Sequence, residues 1–133
     1  MTTSDDLPIK SNSDVVLVRQ HVRTAAVNVG LSLVDQTKVV TAASELARNA
    51  LVYAGGGQVR IEIVNNGIRK GLRLAFSDTG PGIPDIPQAL TDGWTTGGGL
   101  GLGLSGSRRL VDEFDLQSAP GEGTLITVTK WAR

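Results

Sequence analysis

The stretch from Asp92 to Phe114, DGWTTGGGLGLGLSGSRRLVDEF, constrains the chain more than any other. Five glycines fall within residues 97–103 (Gly97, Gly98, Gly99, Gly101 and Gly103), with Leu100 and Leu102 between them and Gly106 just beyond. The run passes without a break into helical spacing. Gly103, Ser107, Leu110, Val111 and Phe114 stand at i, i+4, i+7, i+8 and i+11, which predicts one apolar stripe of a helix reaching Phe114. Glycines let backbone N–H groups approach a phosphate, and the first turn of a helix adds free donors and the positive end of its dipole. The stretch is read as the phosphate site of a nucleoside triphosphate.

With 133 residues the chain is expected to form a single domain, 1–133, with an edge strand or arm over 1–12. Hydrophobic residues at 40% and charged residues at 20% are ordinary for a globular protein and argue against disorder. Thirteen Lys and Arg balance thirteen Asp and Glu, so there is no electrostatic case for nucleic acid or an anionic membrane. Cysteine is absent, which excludes disulfides, thiolate metal sites and cysteine catalysis. No run approaches the roughly 18 apolar residues of a membrane helix. The polar, acidic start MTTSDDLPIK lacks the parts of a signal peptide. A cytoplasmic location is expected.

Leu7 to Lys10 reads as an edge strand, since Pro8 forbids a central one. Ser13 or Asp14 is expected to cap a helix with Val15, Val18, Val22, Ala25, Ala26 and Val29 inside, stopping at Gly30. His21 lies off that stripe and reads as a solvated position. Ser32 and Asp35 make a capping-box-like start for a second helix with an inner face of Val39, Ala43, Leu46, Ala47, Ala50 and Ala54, ending at Gly55. Val59, Ile61 and Ile63 alternate as a half-buried strand, Asn65-Asn66-Gly67 turns the chain, and Leu72, Leu74 and Phe76 line the returning strand. Asp78 to Pro87 is loop, with a short helical turn expected over 85–92. Beyond the glycine-led helix, 115–119 and 124–131 read as strands joined by Pro120-Gly121-Glu122-Gly123. The order β, α, α, β, β, loop, α, β, β describes an α+β protein, a two-layer α/β sandwich rather than a doubly wound sheet.

Three further motifs carry chemistry. Glu45 and Asn49, in SELARNA, stand at i, i+4 on the flank of the second helix. An asparagine oxygen there suits Mg²⁺, and a glutamate suits removal of a proton from an attacking hydroxyl; a solvated helix edge is the alternative. Asp78-Thr79-Gly80-Pro81-Gly82 follows a strand, where the aspartate can accept from an exocyclic amine and the glycines keep the wall low; an ordinary turn is the alternative. Gly121-Glu122-Gly123-Thr124 places Thr124 at the start of the last strand, or is a plain hairpin.

Together these four motifs, ExxxN, DxGxG, GxGLGL and GxGT in that order, resemble the GHKL ATP-binding superfamily. A P-loop would need lysine and serine or threonine after the glycines, and a dinucleotide fold a strand just before them; neither is present. The resemblance spans about Val15 to Trp131 and implies the Bergerat fold, a mixed, mostly antiparallel sheet covered on one face by three helices. With no phosphoacceptor-histidine domain or coupling domain in view, the chain is most similar to the free-standing anti-sigma-factor kinases. SELARNALVYAGGGQV, KGLRLAFSDTGPGIPDI and SAPGEGTLITVTKW look like the switch kinases of the stressosome pathway.

That likeness implies ATP and Mg²⁺ as cofactors, phosphorylation of a serine on a STAS-domain antagonist and of a threonine on a co-antagonist scaffold, and activation of a PP2C-type phosphatase. It further implies Glu45 as general base, Asn49 as metal ligand, Asp78 with Gly80, Gly82 and Thr124 around the adenine, and Gly99, Leu100, Gly101, Leu102 and Gly103 as phosphate cradle. Residues 83–98 would be a lid carrying Trp94, either a partner anchor or a contact within the domain. Arg108 and Arg109 would meet phosphate or an acidic partner, or face solvent. A nucleotide-gated binding module with little phosphotransfer is the rival expectation, and a detached histidine-kinase catalytic domain a third.

Overall fold

The structure, a computed structural model, describes residues 4–82 and 103–133. Its first helix, α1 (Asn12–Val29), starts from Ser11, whose hydroxyl accepts the Asp14 N–H at 3.3 Å. The Asp14 carboxylate in turn accepts the Lys10 N–H at 2.8 Å. The cap therefore lies before Ser13 and Asp14, at Ser11, from which Asp14 is the third helical position and its N–H reaches the capping hydroxyl. The helix stops at Gly30, in the left-handed region at φ 94. α2 (Leu33–Ala54) starts from Ser32, which accepts the Asp35 N–H at 3.1 Å, and stops at Gly55.

Five strands follow the alternation in the sequence: β1 (Ser4–Ile9), β2 (Gly57–Asn65), β3 (Lys70–Asp78), β4 (Glu113–Ser118) and β5 (Thr124–Trp131). They lie in the order β1-β2-β3-β5-β4, and each neighbouring pair is antiparallel. Among the described residues the sheet is thus wholly antiparallel rather than mixed. Pro8 is accommodated because β1 is an edge.

The registers Val59↔Phe76↔Ile126 and Ile61↔Leu74↔Val128 put six buried side chains on one face of the sheet. Against them pack Val18, Val22 and Ala26 of α1, and Val39, Ala43, Leu46 and Ala47 of α2. The small alanines let α2 approach closely, and each fully buried aliphatic side chain contributes about 1.5–3 kcal/mol. On the opposite, open face, Arg60 pairs with Asp6 at 2.9 Å and Arg73 donates to the Thr129 hydroxyl at 3.4 Å.

A lysine also shares the covered face. Lys130 stands opposite Leu72 in β3, and its side chain is only 7% exposed. Its Nζ lies 3.5 Å from Asp35 in the first turn of α2 and 3.3 Å from Asp112 before β4. Burial pushes the Asp112 carboxyl up. The Trp131 N–H at 2.8 Å together with Lys130 and Arg133 outweighs this, so the net shift is below the ordinary carboxylate range.

The third helix, α3 (Gly103–Arg109), is shorter than its apolar spacing predicts. Asp112 donates its N–H to the Thr129 carbonyl at 3.0 Å and holds the Trp131 N–H, which pulls the chain onto β5 immediately after the helix. Phe114 consequently pairs with Val128 in β4 instead of extending the helical stripe.

Candidate functional site

At one end of the sheet, Asp78, Thr124 and Ser118 form a cross-strand row. Asp78 is opposite Thr124 in the β3–β5 register, and Thr124 is opposite Ser118 in the β5–β4 register. By the alternation of their strands all three belong to the helix-covered side, in line with Phe76, Ile126 and Leu116. All three are half-buried.

The loop after β3 is fixed to this row. Asp78 Oδ1 accepts the Gly80 N–H at 2.9 Å, an Asx turn that leaves Oδ2 without a hydrogen bond among the described residues. Gly80 lies against the end of α2: a Cβ there would stand 2.5 Å from the Cβ of Ala54. No side chain fits at that separation, so glycine is what lets the loop seat on the helix. Pro81 accepts the Gly121 N–H at 2.6 Å, and Gly82 lies beside Ala119 and Ser118. Gly123 has φ 79 and abuts the Asp78 carbonyl, which joins the final hairpin to the same loop.

The structure therefore brings Asp78, Gly80, Gly82 and Thr124 together as one braced unit, next to the C-terminal end of α2. Glu45 and Asn49 lie further up that helix, one turn apart and half-buried, between the buried positions Leu46, Ala47 and Ala50. α2 packs against both β3 and α3. Gly103 opens α3, while Gly99, Leu100, Gly101, Leu102, the 83–98 lid with Trp94, and the 85–92 turn lie outside the described residues. Arg108, Arg109 and His21 are exposed. Among the described residues no group of three or more His, Asp or Glu is placed to hold a metal ion.

Two residues of the site were not singled out in the sequence. Ala54 appeared only as core, yet it is the surface on which Gly80 rests. Ser118 appeared only as a strand residue, yet its Oγ lies 2.9 Å from both the Thr124 hydroxyl and the Gly123 carbonyl. Its even spacing from Phe114 and Leu116 was the available signal.

Residues 34–133 match the family described as histidine kinase-, DNA gyrase B- and HSP90-like ATPases. The chain belongs to that family. It is 50% identical over 125 residues, 94% of each chain, to the serine/threonine-protein kinase RsbT of Bacillus subtilis (strain 168), so within the family it is an RsbT-like kinase. An anti-sigma F factor of Bacillus licheniformis is 31% identical over 101 residues, 72% of this chain and 69% of the other. Among solved structures, the RsbU and RsbW domains of a Mycobacterium tuberculosis protein superpose with a TM-score of 0.68 at 21% identity, over 99% of this chain and 33% of that one. The mycobacterial sensor histidine kinase MprB superposes at 0.58 with 19% identity, over 97% of both chains. Both structural likenesses bear on the fold: the two-layer antiparallel sandwich is the family's architecture. ATP use follows from the same membership.

Proposed function

We propose that this family member is an Mg²⁺-dependent serine/threonine protein kinase that transfers the γ-phosphoryl group of ATP to a serine on a STAS-domain antagonist. A threonine on a co-antagonist scaffold is a second acceptor. The observation that carries the reading is the Asp78 carboxylate, half-buried at the end of β3, with Oδ1 held by Gly80 and Oδ2 left to accept from a ligand. An acceptor in a fixed direction beside a glycine wall suits the exocyclic amine of adenine. Thr124 stands next to it in the row.

The oxygen-bearing pair on α2 suits the other end of the nucleotide. Asn49 offers a neutral carbonyl oxygen, the kind of ligand Mg²⁺ takes when phosphates and water complete its shell. Once bound, the metal would neutralise charge on the phosphate oxygens. Glu45, one turn earlier, accepts the proton of the serine hydroxyl as that oxygen bonds to the γ-phosphorus and the bond to the ADP oxygen breaks. Gly99 to Gly103 supply backbone donors to the phosphates, and 83–98 act as the lid over them. After release from its antagonist the kinase binds and activates a PP2C-type phosphatase. The kinase is read as a single domain, 1–133, working in the cytoplasm; none of the helices among the described residues is long and apolar enough to cross a membrane.

Likeness to anti-sigma F factors supports a second reading, in which nucleotide gates partner binding with little transfer. Incubation with γ-labelled ATP and a STAS-domain protein separates the two. Acid-stable phosphoserine on the acceptor is the expected product; unmodified acceptor in a stable complex favours the binding module, and acid-labile phosphohistidine rejects both.

A further inference from the structure

We infer that Ser118 is a positioning residue that sharpens the base preference of the nucleotide pocket, an inference resting on the adenine-site reading of Asp78 and Thr124. Ser118 Oγ lies 2.9 Å from the Gly123 carbonyl oxygen and 2.9 Å from Thr124 Oγ1. A carbonyl oxygen only accepts, so the one hydroxyl proton of Ser118 is committed to Gly123. The second bond then runs the other way: Thr124 donates its proton to Ser118.

The carbonyl that fixes this polarity is itself fixed. Gly123 is buried, has φ 79, and abuts the Asp78 backbone, so its carbonyl does not turn away at low cost. With its proton drawn toward Ser118 in β4, Thr124 presents only lone pairs in other directions, the Asp78 side included. Asp78 Oδ2 also presents only lone pairs. Two acceptors side by side fit the donor edge of a 6-aminopurine. They oppose a 6-oxopurine, whose carbonyl would face them acceptor to acceptor. Asp78 discriminates alone; Ser118 adds to that by denying Thr124 the rotation that would let it donate to a 6-oxo group.

The test compares binding of Mg²⁺·ATP and Mg²⁺·ITP by calorimetry in the wild type, Ser118→Ala, Ser118→Thr, Thr124→Val and the Ser118→Ala/Thr124→Val double variant. The wild type is expected to prefer ATP, and Ser118→Ala to narrow the ATP-to-ITP affinity ratio by about three- to tenfold, the range of one net hydrogen bond. Ser118→Thr is expected to restore the ratio, and Ser118→Ala to change nothing further once Thr124 is valine. An unchanged ratio in Ser118→Ala, or equal weakening of both nucleotides, overturns the inference while leaving the adenine site standing. A wild type that binds both nucleotides alike overturns the adenine site and the inference together.

Discussion

Gly80 and Ala54 meet so closely that a single added methyl group on Gly80 would lie 2.5 Å from the Ala54 side chain. This contact joins the loop after β3 to the end of α2, and with it Asp78 to the helix bearing Glu45 and Asn49. The first prediction follows from it. Gly80→Ala is expected to cost about 1–3 kcal/mol, as overpacking does, and to weaken nucleotide binding by displacing Asp78. Urea unfolding and calorimetry on the same variant check both; a fully stable variant with unchanged affinity would show that loop and helix are not held together here.

Asp78→Asn leaves Oδ1 able to accept from Gly80 but turns the other arm from acceptor to donor. Hydrogen bonds involving a charged group contribute about 1.5–3 kcal/mol, so ATP affinity is expected to fall roughly 10- to 100-fold with little loss of stability. Calorimetry with ATP measures it, and an affinity equal to that of the wild type would remove Asp78 from the base pocket.

Lys130 holds two carboxylates from distant parts of the chain, Asp35 at 3.5 Å and Asp112 at 3.3 Å. Lys130→Met leaves Asp112 with Arg133 and the Trp131 N–H, but takes the cation from the largely buried Asp35 side chain. Breaking such a pair by removing one partner is expected to cost about 3–5 kcal/mol, read as a lowered urea midpoint at neutral pH. Replacing Asp35 with asparagine as well should recover part of that loss.

The same cluster gives stability a pH dependence. Asp112 is held below its ordinary value of 3.8 in the folded protein, so its contribution is present above that value and is lost as pH falls through the lower folded-state value. Urea midpoints of the wild type are therefore expected to decline in acid below about pH 4, and those of Asp112→Asn, lower at neutral pH, to decline less steeply.

Local signals in the sequence carried much of this fold. Gly30 and Gly55 end their helices and Ser32 begins one, because caps act through residues three or four apart. Asn66 accepts the Ile68 and Arg69 N–H groups at the turn between β2 and β3, again a local bond. What escaped was set by distant partners. Phe114 fits both a helical stripe and a strand alternation, and the choice is made by Asp112 bonding to Thr129 and Trp131. Lys130 looks like a solvated strand residue until Asp35, far back in the chain, comes to face it. The site divides in the same way. The turn at Asp78 was legible from its glycine-rich loop, whereas the bond from Ser118 to Gly123 exists only once the hairpin closes.

Replacing Glu45 with glutamine and measuring single-turnover phosphoryl transfer to a STAS-domain acceptor, alongside ATP affinity, tests most directly the division of labour on α2. General base catalysis typically contributes 10²–10⁴-fold, so the transfer rate is expected to drop by about that factor while ATP affinity stays within a few-fold of wild type. Transfer at the wild-type rate would contradict the assignment of Glu45 as the base and, with it, the reading of this helix as the catalytic wall of the site.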